Sequence, residues 1–393
     1  MSNITKFDHC FGCGVCESVC PVHIISMSLN SDGFYSPRIY EPDKCIQCGL
    51  CLKTCAFNTT VTTSCQDEEI HFYAAWSNNV EIREKTSSGG VGYSILEYLI
   101  CCGYNVCVVR YNAEHKRAEH YVATSVKELE ASAGSKYLQS YPSEALKKIT
   151  KKGKWAVVGT PCQIHSLRNY IQFKKRENDF ILIDFFCHGV PSYHVYTKYL
   201  TEIEEEKGPS QSVSWRIKNG YGWHDSWVMR TVCRDGTFEK SFSKGDLFFK
   251  FFLRNRYLNK CCYDDCKYKM SNSYADIRMG DLWGKKYECN EDGVSGVIGL
   301  TNRGKQLLKD CKCYCTLVPE SATIVMESQM KTCARRSASY NYVKKYISDS
   351  QLSLETIDRI ASRKEFIHSL LPKAQYYIRR FPIKFVELCK LIR

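Results

Sequence analysis

Cys10-Phe11-Gly12-Cys13-Gly14-Val15-Cys16-Glu17-Ser18-Val19-Cys20-Pro21 and Cys45-Ile46-Gln47-Cys48-Gly49-Leu50-Cys51-Leu52-Lys53-Thr54-Cys55 decide how this chain is read. Each run sets three thiols two residues apart and a fourth after three more, the spacing that wraps a [4Fe–4S] cluster. In paired runs of this kind the fourth Cys serves the other cluster. Cys10, Cys13, Cys16 and Cys55 are therefore assigned to one cluster, and Cys45, Cys48, Cys51 and Cys20 to the second. Gly14 and Gly49 follow the second Cys of each run, where the wrapping chain needs tight turns. Ala56 departs from the pattern, since Pro follows the fourth Cys of the first run. Zinc sites favour pairs of Cys-x-x-Cys without the third and fourth thiols. The runs predict a protein that moves single electrons.

Composition sets the bounds. A chain of 393 residues with 44% hydrophobic content accommodates two or three domains and a sizeable core. No stretch of about 18 consecutive apolar residues is present to cross a membrane. The first residues, MSNITKFDHC, lack a charged-then-apolar signal region, which predicts a cytoplasmic protein. Twenty-four cysteines in a reducing compartment argue for metal ligation over disulfides. Sixteen of them lie outside the two runs, so at least one more site is expected. The formal charge of +13 overstates the basicity, because thiolate-bound clusters are anionic. Lys and Arg are scattered and no nucleic-acid module is visible, so nucleic acid is not an expected partner. An acidic electron carrier, an anionic cofactor or a membrane surface suits the residual charge.

Residues 1–64 read as one small domain nucleated by its metal, with His23 a loop residue. The polar stretch Thr59–Glu69 suits a linker. His71–Trp76 is strand-like, and Ser87-Ser88-Gly89-Gly90 leads into a helix from Val91. Small residues entering a helix offer an anion site, or simply a cap. Tyr104–Tyr111 reads as a buried strand. Trp155–Gly159 and Phe180–Phe186 are strands, each followed by a thiol and a helix, and so form a βαβ unit. Ligands of open α/β sheets sit beyond the carboxyl ends of strands, where Cys162 and Cys187 fall. With Cys262 and Cys266 they would make a third four-thiolate site, Cys261 competing with Cys262. Spacing alone leaves open that these thiols only fill the core.

The motifs together carry a resemblance. They are Ser87-Ser88-Gly89-Gly90, Gly134-Ser135-Lys136-Tyr137-Leu138-Gln139-Ser140, Gly159-Thr160-Pro161-Cys162-Gln163, Cys187-His188-Gly189-Val190-Pro191 and Gly280-Asp281-Leu282-Trp283-Gly284. The chain resembles the family of coenzyme F420 hydrogenase/dehydrogenase beta subunits, in the branch with a fused N-terminal two-cluster ferredoxin. The resemblance implies an α+β architecture: the small ferredoxin domain (1–64), an α/β flavin domain with a partly parallel sheet in two parts (70–145 and 146–320), and a helical tail (321–393). It implies FAD, cradled by Ser87, Ser88, Gly89, Gly90, Ser135, Lys136 and Tyr137, and a third [4Fe–4S] cluster on Cys162, Cys187, Cys262 and Cys266. The family commonly has two residues between the last two thiols, whereas three separate them here.

The expected activity is that of an iron–sulfur flavoprotein oxidoreductase. It would pass electrons between a ferredoxin-type or F420-type carrier and a small organic substrate, with a resemblance also to proteins of surface-polysaccharide gene neighbourhoods. The alternative is a non-catalytic electron-transfer subunit of a larger complex. His188 and, second, His224 are the candidate proton donors, since imidazole titrates near neutral pH. A bond supporting the cluster is the other reading of His188. The loop Tyr221-Gly222-Trp223-His224 is a candidate cover for the flavin or substrate, or an ordinary hairpin turn. In the tail, Leu371-Pro372 and Phe381-Pro382 are expected to break the helix into pieces. The basic and apolar residues of 376–393 suit a membrane surface or partner, or packing on the body.

Overall fold

The computed structural model describes residues 3–7, 9–59, 69–327, 329 and 331–380. The chain is α+β. A hairpin of β1 (Ile25–Leu29) and β2 (Tyr35–Ile39) joins the two cysteine runs. The strands β3 (His71–Ser77), β4 (Asn105–Asn112), β5 (Arg117–Ala123), β6 (Trp155–Gly159) and β7 (Phe180–Phe185) follow. After them come β8 (Ser210–Ser214), β9 (Val228–Cys233) and β10 (Gly236–Ser241), which form a three-stranded antiparallel sheet. The last strands are β11 (Ile277–Asp281), β12 (Ser295–Gly299) and β13 (Cys315–Pro319).

The large sheet has the order β13-β3-β12-β11-β7-β6-β4-β5. Its centre, β4, β6, β7 and β11, is parallel, and antiparallel strands extend it on both sides. Side chains alternate across it. Val157 and Leu182 enter one buried core, and Ala156, Ile181 and Ile183 enter the core on the opposite face. Burial on both faces explains why these strands read as nearly continuous apolar runs.

The βαβ unit forms as read: β6 runs into the helix Pro161–Phe173 and returns as β7, its direct parallel neighbour. Pro161 sits in the first helical turn, where its missing N–H costs nothing. The helix Tyr193–Lys207 starts at Ser192, whose hydroxyl accepts from the His194 N–H (3.1 Å).

The cysteine-run segment shares its core with the body. Val15 and Val19 pack with Leu146, Ile149 and Ile164, while Ile24, Met27 and Phe34 belong to the core that holds Tyr193, Trp215 and Phe248.

The tail corrects one expectation. A single helix, Leu354–Arg380, runs through Pro372. It gives up the hydrogen bond that proline cannot donate but is long enough to continue. Its start buries Leu354, Ile357 and Ala361. Arg256, fully buried, fastens it through Glu365 (Nε to Oε1, 2.8 Å) and Ser362 (2.8 Å). Phe366, Ile367 and Leu370 stay exposed. The expected break at Phe381-Pro382 and most of the basic–apolar stretch lie outside the described residues, as does most of the polar linker. Among the described residues no helix is long and apolar enough to cross a membrane.

Candidate iron–sulfur centres

The first cavity, about 340 Å³, is lined by Cys10, Cys13, Cys16 and Cys55 together with Ile4, Phe11 and Phe57. Three thiols of the first run thus meet the fourth of the second. Two left-handed glycines shape the loop around it. Gly12 (φ +66°) has no room for a Cβ, which would collide with the Gln139 side chain and the Tyr35 carbonyl. Gly14 (φ +76°) starts the helix Val15–Val19. Burial pushes the Cys10 thiol up to about 12 and Cys55 up to about 11, and raises Cys13 and Cys16 as well. The four would be neutral as free thiols, and a metal is what makes shedding their protons favourable. A cavity lined by four thiols and little else polar fits a [4Fe–4S] cluster.

The body supports this cavity. Ser166 Oγ takes a hydrogen bond from the Cys13 thiol (3.4 Å) and another from the Ala56 N–H (3.0 Å). A proline at 56 could not make the second bond, which gives the departure from the pattern a physical reason. Gln163 Nε2 donates to the Cys13 carbonyl (3.0 Å), and Gln139 Nε2 to the Phe11 carbonyl (3.1 Å). Ser166 is invisible as a site residue in the sequence; Gln139 and Gln163 fall inside the quoted motifs.

The second set has Cys20 and Cys51 buried, Cys45 half-buried and Cys48 exposed. Cys51 is raised first by burial and then, less, by Cys48 and Cys20.

A second cavity, about 450 Å³, lies beyond the ends of β6 and β7. It is lined by Cys162, Cys187 and Cys262 with Gln139, Thr160 and Asn259. Cys266 is close enough to Cys187 and Cys262 to raise both thiols, after the larger effect of burial. Burial brings Cys187 to about 11 and raises Cys162 and Cys262 further. The short helix Lys260–Asp264 ends between Cys262 and Cys266. Asp265 leaves the helical conformation (φ −117°, ψ 0°), so the extra residue between these thiols falls at the helix end and outside regular structure. Cys261 reaches the cavity wall, and its thiol is raised first by burial and then by Asp265 and Cys10. Cys333, which the sequence reading missed, donates to the Cys266 carbonyl (3.0 Å) and sits 67 residues away in sequence. No local pattern marks it. The Lys269 amine donates to the Cys187 carbonyl (2.9 Å).

The segment Phe11-Gly12-Cys13 lines both cavities. Cys13 is near enough to Cys162 to add to the rise of that thiol, after burial and Cys187.

The motifs expected to cradle FAD also converge, on a residue the sequence reading did not single out. Arg216, with a fully buried side chain, donates to the Ser87 carbonyl (3.1 Å), the Tyr137 hydroxyl (3.2 Å), Asp281 Oδ2 (3.1 Å) and Ser226 Oγ (2.8 Å). It lies over the Trp227 ring at 4.4 Å. Ser87 Oγ accepts from the Ser135 N–H (2.8 Å), Ser88 Oγ donates to the Val294 carbonyl (2.8 Å), and the Gly89 N–H donates to Ser295 Oγ (3.1 Å). The Lys136 amine donates to the carbonyls of Ser132, Ala133 and Gly134 (2.8–3.0 Å), and burial lowers it to about 7. These groups are spent on the protein itself. They do not fit phosphate contacts for a dinucleotide in this arrangement.

The two candidate proton donors lie in different surroundings. His188 Nε2 meets Asn255 Oδ1 at 2.6 Å, and its ring packs on Phe252. His224 lies against Trp223 and Trp283, with its Nε2 buried and without a hydrogen-bond partner. Trp223 is fully buried and stacks on Trp283 at 4.4 Å. Trp223 thus fastens its loop to the body.

Comparison with known proteins matches three segments of the chain. Residues 9–59 match the 4Fe-4S dicluster domain. Residues 72–147 match the N-terminal model, and 152–321 the C-terminal model, of the coenzyme F420 hydrogenase/dehydrogenase beta subunit. A curated relative, a subunit of the F(420)H(2) dehydrogenase of Methanosarcina mazei, is 28% identical over 204 residues, or 49% of this chain and 57% of the relative. The chain thus spans a little over half the length of that relative. The F420-reducing [NiFe] hydrogenase complex of Methanosarcina barkeri contains a chain 17% identical, aligned over 74% of this chain and 90% of that one. Its TM-score of 0.45 carries no further argument. The two beta-subunit models together span more than half of the sequence, and the chain belongs to the family of coenzyme F420 hydrogenase/dehydrogenase beta subunits, with an iron–sulfur dicluster domain fused ahead of it.

Proposed function

We propose that this chain is an iron–sulfur oxidoreductase subunit that relays electrons between a carrier of the F420 or ferredoxin type and a partner in a larger redox complex. Cys10, Cys13, Cys16 and Cys55 hold one cluster, Cys20, Cys45, Cys48 and Cys51 a second, and Cys162, Cys187, Cys262 and Cys266 a third. Such clusters, when bound, accept and release single electrons. The chain's own contribution is to place them. Ser166, Gln163 and Gln139 fix the loop that holds Cys13. Phe11 packs edge to face on both Phe57 and Tyr268.

One observation carries the reading: the same three residues, Phe11, Gly12 and Cys13, form a wall of both thiol-lined cavities. A relay needs its stations adjacent, and a structural metal site does not. The printed name of the curated relative, a subunit of an F(420)H(2) dehydrogenase, supports the carrier and the protein partner. FAD, implied by the family, rests on residues whose hydrogen bonds are spent internally, and no step here passes through it. Reduction of an organic substrate, with His188 or His224 as proton donor, is the finer reading that these placements favour less.

The test is Cys162→Ser in anaerobically purified protein. The expected result is a loss of about four irons per chain, with the dicluster signals retained. Electron delivery from reduced F420 or ferredoxin to a one-electron acceptor should fall in parallel. Unchanged iron would remove the third centre, and unchanged delivery would remove the relay.

A further inference from the structure

His9, Cys261 and Asp265 stand beside the thiol sets without belonging to them. Each neighbours, in sequence, a thiol assigned above: Cys10, Cys262 and Cys266. A ring nitrogen of His9, the Cys261 sulfur and a carboxylate oxygen of Asp265 all lie within 4.8 Å of one another. His9 Nε2 and Asp265 Oδ2 are 3.3 Å apart. Nitrogen and oxygen ligands at about 2.0–2.1 Å from a tetrahedral ion are separated by about 3.3 Å. The sulfur needs a shift of about an ångström at most to complete such a face.

The surroundings hold the three in place. Asn259 Oδ1 accepts from the Cys261 N–H (2.9 Å), and its Nδ2 donates to the Cys10 carbonyl (3.4 Å). Phe57 packs edge-on against the His9 ring at 5.3 Å. Cys261 is 1% exposed, while the His9 and Asp265 side chains are each 32% exposed. One side of the triad therefore faces water.

We propose that His9, Cys261 and Asp265 form a mononuclear site for a borderline divalent cation, zinc in the first instance, with water in the fourth position. A mixed nitrogen, sulfur and oxygen set suits zinc or ferrous iron over magnesium or calcium, which take oxygen ligands. One thiolate and one carboxylate balance the two positive charges, so the ion adds no net charge beside the anionic clusters. Binding forms a metal–sulfur bond and releases the Cys261 proton to solvent, with no change of oxidation state. The ion ties the residue before Cys10 to the loop that carries Cys262 and Cys266. It would thereby fix the first and third thiol sets relative to each other.

The test uses the full chain with its iron bound. The protein is dialysed, titrated with zinc chloride, and analysed for zinc and iron per chain. About one zinc per chain is expected, and X-ray absorption at the zinc edge should show one sulfur near 2.3 Å with nitrogen and oxygen at about 2.0–2.1 Å. His9→Gln and Asp265→Asn should each weaken zinc binding at least tenfold and leave the iron content as in the wild type. Absence of bound zinc in the wild type overturns the proposal. So does zinc retained at full affinity by both variants. An all-sulfur zinc shell also overturns it, because that places the metal in a cluster cavity. The wild-type spectrum decides however well either variant folds.

Discussion

Arg278→Met is the sharpest probe of how the body positions the third thiol set. Arg278 and Asp184 are both fully buried and joined by two bonds, Nε to Oδ1 at 2.7 Å and Nη2 to Oδ2 at 2.6 Å. Arg278 also donates to the Met270 carbonyl (2.8 Å) and the Tyr268 carbonyl (3.3 Å). Asp184 is near the end of β7, three residues before Cys187, and Tyr268 and Met270 follow Cys266. The pair thus fixes two of the loops that carry thiols. Methionine fills the stem of the arginine, so little cavity is made. What it leaves is a buried carboxylate whose remaining partner among the described residues is the Ser273 hydroxyl (2.7 Å). Breaking a buried pair this way costs about 3–5 kcal/mol. At about 1.4 kcal/mol per tenfold, 4 kcal/mol opens this part of the sheet about a thousand times more often. Hydrogen exchange read by mass spectrometry on peptides covering β7 and β11 should show that acceleration in the slowest amides. Asp184→Leu combined with Arg278→Met should recover most of it, since an apolar replacement of both partners removes the unpaired charge. Exchange within tenfold of the wild type in the single variant, or no recovery in the double, would refute the reasoning.

Two further outcomes follow from single contacts. Ser166→Ala removes a hydroxyl that lies 3.4 Å from the Cys13 sulfur and could donate to its thiolate. The bond gains at most about 1 kcal/mol on reduction, so its loss should lower the midpoint potential of the first centre by up to about 40 mV, read by redox titration with electron paramagnetic resonance; an unchanged midpoint would count against the contact. His165 is fully buried, stacked on Tyr274 at 3.5 Å, and held through Nδ1 by the Tyr268 hydroxyl (2.9 Å). Burial, with Lys267 as a smaller contributor, lowers it from 6.5 to about 3. The unfolded chain therefore takes up this proton first, and stability falls as pH drops from 6.5 toward 3. The slope is at most about 1.4 kcal/mol per pH unit. His165→Phe should flatten it, and equal urea midpoints against pH for the two proteins would exclude His165 as the source.

The cysteine runs, the βαβ unit and the motif order were legible because each is written in local spacing. Four thiols within eleven residues need no distant partner to be recognised. Strands such as Trp155–Gly159 announce themselves by apolar runs bounded by turn residues. The family followed from the same motifs and is matched over both beta-subunit halves. The roles attached to single side chains were less legible. Ser88 and Lys136 sit in a motif that suggests anion binding, yet the structure spends them on the Val294 carbonyl and on the carbonyls of their own loop. Pro372 reads as a break, yet the helix continues through it. Ser88 is decided by a neighbour 206 residues away, Lys136 by the turn its own loop makes, and Pro372 by the length of its helix; the residue motif alone records none of these.

The sequence by itself determined the chemistry: which residues are thiols, how they are spaced in the two runs, and that thiols follow two adjacent strands. The paired runs also grouped Cys55 with Cys10, Cys13 and Cys16, which line one cavity. Only the tertiary structure decided between the adjacent thiols: it set Cys262 beside Cys187 and left Cys261 beside Asp265 and His9. It also set Phe11, Gly12 and Cys13 between two cavities, by way of Gln139, Gln163 and Ser166. The physical reason is range. Ligand spacing is fixed by a few backbone turns, whereas adjacency between centres depends on packing and hydrogen bonds between segments more than a hundred residues apart.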